Sequence, residues 1–350
     1  MAFPIARTAA ALLVAPLLAV SFALPASAAA VAVRYRPPVD GWHLAPPSTA
    51  TQTATLASAT QSTGVVLIDT TVDYGAGAAA GTGLVLTSDG IVVTNHHVVK
   101  GSTQVEVTDP ATGESYTADV VGYDPETDVA VLHLEDAAGL TAVATDTSAV
   151  AEGNDVTAVG NSNGGGVLTA ATGEITDTGT AIDVSGDDGT TSHLTDLIEV
   201  DATVVSGDSG GALLDDDGEV IGMNVAASSN GSTGYAIPIA TVLDLADQIL
   251  DGDASGAVTL GYGPALGLQL SAQGSDLLVV GVIRGSAADE AGITPGSTLT
   301  DFDGKPLTSY SGLSAALAKL DPGDSATVGW TDQAGAAHSA TVTLGRAPLA

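Results

Sequence analysis

Three kinds of side chain stand in this chain where together they could run acyl transfer: an alcohol, an imidazole and a carboxylate. The alcohol is Ser209, set in "VVSGDSGGALL", residues 204–214, among Gly207, Gly210 and Gly211. Glycine costs backbone entropy, so a cluster of it means a tight turn or a close approach. A serine hydroxyl is a weak nucleophile until a nearby base takes its proton, and the base works best when a third group orients it. The imidazoles available are His43, His96, His97, His133, His193 and His338. In "GIVVTNHHVVKG" His97 closes a strand where the chain turns helical, which fixes its ring beside a sheet. His43 lies in a Pro-rich stretch, His133 alternates within a strand, and His193 follows the Gly/Asp-rich "SGDDGTTS"; these read as packed or surface residues. The carboxylate is Asp128 in "GYDPETDVAVLHL", directly before an apolar strand and able to point back at an imidazole. Asp124 and Glu126, in the turn before it, read as solvated.

The elements that must hold these residues are strands. "GVVLID", "GTGLVLT", "GIVVTNHHVV", "TQVEV", "YTADVVGYD" and "DVAVLHL" follow one another, short, Val-rich and divided by turn residues. Similar runs continue through "DVTAVGN", "LTAATGEIT", "LIEVDA", "ALLDDDGEVIGMNVAAS" and "GYAIPI". Many short strands with turn signals and almost no helix between them predict a mainly β chain, a barrel or sandwich. After Pro238 the period changes, and Ile239, Val242, Leu243, Ala246, Ile249 and Leu250 form one helical stripe. The Gly-rich "DGDASGAVTLGYGP" then reads as a joint, 251–262, before a small α+β module over 263–346.

Composition narrows the chemistry. The 350 residues carry 8 Lys plus Arg against 41 Asp plus Glu, a formal charge of −33. Nucleic acid and anionic membranes attract cations, so neither is an expected partner. Without cysteine there is no disulfide, thiolate nucleophile or thiolate metal site. No cofactor is expected. "DGDASG" opens like a Ca²⁺-binding loop, but its twelfth position is Tyr262 where a bidentate Glu is needed, so no metal site is expected there. The acidic Asp187-Asp188 and Asp215 to Asp217 read as solvated turns.

"GDSGG" also fits the nucleophile elbow of α/β-hydrolases, but that fold needs its histidine after the serine, and only His338 follows. At the other end, Arg7, an apolar run from Ala9 to Leu24 and Ala26-Ser27-Ala28 have the layout of a secretory signal peptide over 1–28. Retention of this segment as a membrane anchor is the alternative. Residues 29–55, rich in Pro, Thr and Ala, read as a linker.

Taken in order, "GTGLVLTSDGIVVTNHHVVKG", "VVGYDPETDVAVLHL", "VSGDSGGALLDDDGEVIGMN" and "GYAIPI" resemble the HtrA (DegP-type) family of chymotrypsin-fold serine proteases. The likeness is strongest to secreted actinobacterial members with one C-terminal PDZ domain. It implies a double six-stranded β-barrel over 56–250 and a cleft in which His97 is the base, Asp128 its partner and Ser209 the nucleophile. It further implies an oxyanion hole from the backbone N–H groups of Gly207 and Ser209, with Gly210 and Gly211 admitting the substrate backbone. By the same resemblance Thr203 sits near the floor of the primary pocket, and the extended substrate pairs with the strand around Asn224 to Ala227. No carboxylate stands at that floor, so small or medium apolar side chains are the expected preference.

The chain departs from the family pattern at Asp208, where Asn is frequent, and at His96, again usually Asn. Over 56–250 the sole permanently charged cation is Lys100, so a buried Asp208 would need hydrogen-bond donors, or Arg34 or Arg36. The last module resembles a PDZ domain in "ALGLQL", "VIRGSAADEAGITPGSTLTDFDGKPL" and "GLSAALAKLDPGDSATVGW". Such domains add a peptide as an extra strand and cradle its terminal carboxylate with loop amides, here those of Leu266, Gly267 and Leu268. The resemblance also implies unfolded protein or peptide substrates and a homo-oligomer, commonly a trimer. The competing expectation is a non-catalytic, chaperone-like peptide-binding protein.

Overall fold

The computed structural model describes residues 54–185, 191–227, 233–271 and 277–349. The expected signal segment, nearly all of the expected linker, His43, Arg34, Arg36 and Asp187-Asp188 lie outside the described residues.

The first half opens with β1 (Thr55–Leu56), then β2 (Val65–Val72), β3 (Gly77–Val85), β4 (Ile91–Thr94), the one-turn α1 (His96–Val99), β5 (Ser102–Asp109), β6 (Glu114–Asp124) and β7 (Val129–Leu134). Strands β2 to β7 close on themselves, because β6 pairs with both β5 and β7. The second half holds β8 (Asp155–Gly160), β9 (Thr169–Ser185), β10 (Thr191–Val200), β11 (Ala212–Leu214), β12 (Val220–Ala227) and β13 (Gly234–Pro238). It closes likewise through β8 and β9, and β1 adds to β9 at its rim. All these ladders are antiparallel. The mainly β expectation is met by two six-stranded barrels.

Period-two alternation explains how each strand serves two cores. In β2, Val66 and Ile68 join the interior cluster of the first barrel with Val92, Val107 and Leu132. Their neighbours Val65 and Leu67 face a second cluster with Val159, Met223 and Ile237 of the other barrel. In β5, Val105 and Val107 are buried while Gln104 and Glu106 face out. Valine suits this pleated, two-sided packing because its branched Cβ loses little in an extended chain.

Helix α2 (Ile239–Leu250) leaves β13 with Ile239, Val242, Ala246 and Ile249 buried. Leu243 is half-buried and Leu250, expected on the same stripe, is exposed, so the apolar face is narrower than the sequence suggested. The stretch 251–262 is more than a joint. Its residues Thr259–Leu260 form β14, which pairs with Tyr123 and Gly122 of β6, and Val258 is buried in the inter-barrel core.

The last module contains β15 (Pro264–Ala265), β16 (Leu268–Leu270), β17 (Val279–Val282), α3 (Ala287–Glu290), β18 (Thr298–Phe302), β19 (Lys305–Pro306), α4 (Tyr310–Leu317), β20 (Ser325–Thr331), β21 (Ala337–Thr343) and β22 (Gly345–Arg346). Phe302, Trp330, Leu313 and Val328 centre its own core. Ser309 caps α4 by accepting the Gly312 amide at 3.1 Å. Among the described residues, no helix is long and apolar enough to cross a membrane.

Candidate active site

His97 and Asp128 reach each other because β4 pairs with β7, which sets the ends of the two strands side by side. The His97 Nδ1 lies 2.6 Å from Asp128 Oδ2, and the His97 amide donates to Oδ1 at 2.9 Å. One carboxylate therefore holds both the ring and the first-turn backbone of α1, where amides lack partners within the helix. A carboxylate oxygen only accepts, so Nδ1 carries the proton and Nε2 is left as the basic nitrogen. Asp128 takes φ +61°, a left-handed backbone that aspartate tolerates better than most residues. Its carbonyl is in turn held by Asn95 Nδ2 at 3.0 Å and by the His96 amide at 3.2 Å. Both members of the pair are almost wholly buried, which strengthens the interaction by excluding water.

Ser209 lines the same small cleft as His97, together with Ala79, Ala80, Val98, Ser206 and Gly207. Its Oγ stands 3.5 Å from the Val225 carbonyl, at the limit of a hydrogen bond. The amides of Gly207 and Ser209 find no acceptor among the described residues. Their directions are nevertheless fixed. In a trans peptide the C=O and N–H point opposite ways. The Ser206 carbonyl accepts from Asn163 N at 2.6 Å and the Asp208 carbonyl from Gly211 N at 2.9 Å. Each bond orients the amide that follows it. The intervening carbonyls are tied to the first barrel: Thr82 Oγ1 donates to Gly207 O at 2.7 Å, and Thr82 N donates to Ser209 O at 2.9 Å. Thr82 Oγ1 also accepts from Asn161 N at 2.9 Å. These supporting residues, Thr82, Asn161 and Asn163, carry no sequence signal of their own.

The glycines beside the serine have a different reason from the one expected. A Cβ on Gly210 would lie 2.0 Å from the Thr82 carbonyl oxygen, and one on Gly211 would lie 2.1 Å from the Val159 carbonyl oxygen. They admit the protein's own backbone rather than a substrate's. Gly207, at φ +90°, would press its Cβ to 2.2 Å from the Asn161 carbonyl oxygen.

Asp208 is buried with no described cation beside it. Its Oδ1 accepts from Ser162 Oγ at 2.7 Å and its Oδ2 from Val205 N at 2.8 Å. Burial pushes its carboxyl up to about 6, against the pull of these two donors. His96 is stacked on Tyr123, ring centroids 4.6 Å apart, and takes a packing role.

The expected specificity residues are only partly where the sequence put them. Asn224 is fully buried, its Nδ2 donating to Val159 O and Ala212 O at 3.2 and 3.0 Å. That side chain ties the barrel strands together and does not line a substrate pocket. Thr203 is half-buried and is absent from the cleft that holds Ser209. The backbone of Ala227 pairs with Gly234 at the end of β12. In the last module, Leu266 and Gly267 form the connection between β15 and β16. The amides of Leu266 and Gly267 have no acceptor among the described residues. Leu268 begins β16, which among the described residues pairs with β17 alone and so leaves one edge open.

Residues 81–223 match the family model of the trypsin-like peptidase domain, and residues 264–333 match that of the PDZ domain. Over 303 residues the chain is 29 % identical to the serine protease PepD of Mycobacterium tuberculosis, covering 81 % of this chain and 64 % of that protein. Over 58 residues it is 48 % identical to a probable periplasmic serine endoprotease, DegP-like, of Chlamydia trachomatis, covering 17 % and 12 % of the two chains. The chain thus spans less than two thirds of the length of these relatives. Among solved structures it is similar to the HtrA-type protease AlgW with tripeptide, at 26 % identity, TM-score 0.49 and coverage of 84 % of this chain and 99 % of that one. By its domains and their order the chain is similar to HtrA-type proteases: a trypsin-like peptidase domain followed by a PDZ domain.

Proposed function

We propose that the chain is a serine endopeptidase acting on unfolded or extended polypeptides outside the cytoplasm, with His97, Asp128 and Ser209 as its triad. The observation that carries this reading is the bond between His97 Nδ1 and Asp128, with His97 lining the same cleft as Ser209. The Ser209 Oγ attacks the scissile carbonyl carbon as its proton passes to His97 Nε2. Asp128 holds the ring in the tautomer that can receive that proton and steadies the imidazolium that results. The carbonyl oxygen becomes an oxyanion facing the amides of Gly207 and Ser209. Because both are already oriented, they need no reorganisation as charge develops. His97 then returns the proton to the leaving amine, and water resolves the acyl-enzyme by the same route.

The PDZ domain takes the C-terminal end of a peptide as a strand beside β16, its carboxylate on the amides of Leu266, Gly267 and Leu268. The open edge of β16 and the unengaged loop amides support this. Residues 1–28 direct export and 29–55 link them to a protease domain over 56–250, with the PDZ domain over 263–346. Several relatives carry "periplasmic" in their names, which agrees with this placement. The biological role that fits is protein quality control.

Casein cleavage by the wild type and by Ser209→Ala, with fluorophosphonate labelling mapped to a peptide, tests the reading. Cleavage and Ser209 labelling in the wild type alone support it. Equal, negligible cleavage without labelling would leave a chaperone-like binding protein.

A further inference from the structure

The segment Arg346–Leu349 leaves the PDZ domain and lies on the first barrel beside α1. Leu349 is only 4 % exposed and belongs to the apolar cluster that holds Val98 and Val99, the residues directly after His97. Its carbonyl accepts from Gly101 N at 2.8 Å, and its amide donates to Ser102 O at 3.1 Å. Ser102 is also met by the Tyr262 hydroxyl at 3.1 Å. Arg346 fastens the near end of the segment. Its Nη2 lies 2.6 Å from Asp119 Oδ1, and its guanidinium sits 5.2 Å over the Tyr262 ring centroid. The Arg346 carbonyl accepts from the Tyr74 hydroxyl, on the β2–β3 turn. Strand β3 then carries Ala79 and Ala80 into the cleft.

A helix of one turn cannot hold its own geometry, because nucleation costs more than so few bonds return. Helix α1 is therefore set by what grips its two ends. Asp128 grips the first end. At the other end, one face of Val98 meets β3 so closely that a Cβ on Gly81 would come within 2.5 Å of it. The exit through Gly101 and Ser102 is held by the two backbone bonds to Leu349. Gly101, at φ +74°, is a residue whose backbone would otherwise be free to wander.

We propose that Leu349 is a positioning residue for His97, its seat beside α1 fastened by Arg346. The proposal rests on the reading of His97 as general base. Leu349 touches neither substrate nor the reacting atoms; it closes the second grip on the helix that aims the imidazole. The segment that follows the PDZ domain thereby contributes part of the frame of the catalytic base.

The test compares full-length wild type, Leu349→Ala, Leu349→Met, Arg346→Ala and Ser209→Ala. Peptide kinetics are read alongside the proton resonance of His97 Nδ1–H, assigned by its loss in His97→Gln. A small misplacement of a reacting group is costly, so Leu349→Ala should lower kcat about tenfold with KM within about twofold. Its Nδ1–H resonance should broaden or shift. Leu349→Met, of similar volume, should restore both, and Arg346→Ala should lower kcat in the same direction while the protein still melts cooperatively. Wild-type kcat in Leu349→Ala would overturn the proposal, as would an equal loss in Leu349→Met, or a lower kcat with an unaltered resonance. If the wild type neither cleaves nor labels, the protease reading fails separately, and the resonance comparison still decides whether Leu349 sets the ring.

Discussion

The carboxylate of Asp208 lies 2.7 Å from the Ser162 hydroxyl, one residue away from the nucleophile and with no described cation in contact. Its pKa stands at about 6 rather than the ordinary 3.8, through burial. The folded chain therefore binds this proton more tightly than the unfolded chain. The stabilisation it brings is complete below the ordinary value and is lost as the pH rises through about 6. A shift of that size corresponds to about 3 kcal/mol. Asp208→Asn can keep both contacts, its oxygen accepting from Val205 N and its amide donating to Ser162. Urea denaturation of the two proteins across this window should show the wild type losing about 2–3 kcal/mol relative to the variant. Parallel curves would show that the buried carboxyl is not perturbed.

Asp128→Asn leaves the volume of the pair almost unchanged but lets the side chain donate where it must accept. The ring would turn its other tautomer toward Ser209. A loss of about 10⁴-fold in kcat, with KM little changed, is the expected result. Steady-state kinetics on a peptide substrate measure it.

Thr82→Val keeps the shape of a fully buried residue and removes the hydroxyl that joins Gly207 O to Asn161 N. Two buried groups then lack a partner, a cost of about 1–3 kcal/mol each. The loosened Gly207 backbone should lower kcat about 10²-fold, the scale of one lost oxyanion donor. Thr82→Ser, which retains the hydroxyl, should stay within severalfold of wild type in the same assay.

Gly210→Ala and Gly218→Ala separate two costs of a left-handed glycine. Both positions have positive φ, +83° and +81°, but only at Gly210 does a Cβ strike backbone. Gly218→Ala should cost about 1–2 kcal/mol, the price of the conformation alone. Gly210→Ala adds a clash with the Thr82 carbonyl and should cost well over 3 kcal/mol or prevent folding. Melting curves of the two variants decide it.

Much of the site was legible because its chemistry needs particular residue types in particular local settings. A serine among glycines, a histidine at a strand end and an aspartate before an apolar strand each leave a local mark. The alternation of Val and polar residues announced strands, and closure into barrels followed from their number and the family likeness. What escaped depended on which side of a closed strand faces where. Asn224 sits beside the serine loop but points into the barrel wall, a matter of register against β11 and β8. The family likeness gives the space beside Gly210 and Gly211 to an incoming substrate, because sequence alone does not reveal that the carbonyls of Thr82 and Val159 occupy it. The bonds of Leu349 to Gly101 and Ser102 span nearly 250 residues of chain and leave no local trace.

Strand β14 bears on how this chain can be divided. On the side of β6 where β5 ends at Ala118, Thr259 and Leu260 cover Gly122 and Tyr123. A protein engineer who stopped the gene at residue 250, to isolate the hydrolase, would strip that cover and the Val258 plug with it. The raw strand margin would then invite other copies to stack there, so a soluble truncation has to run past Leu260.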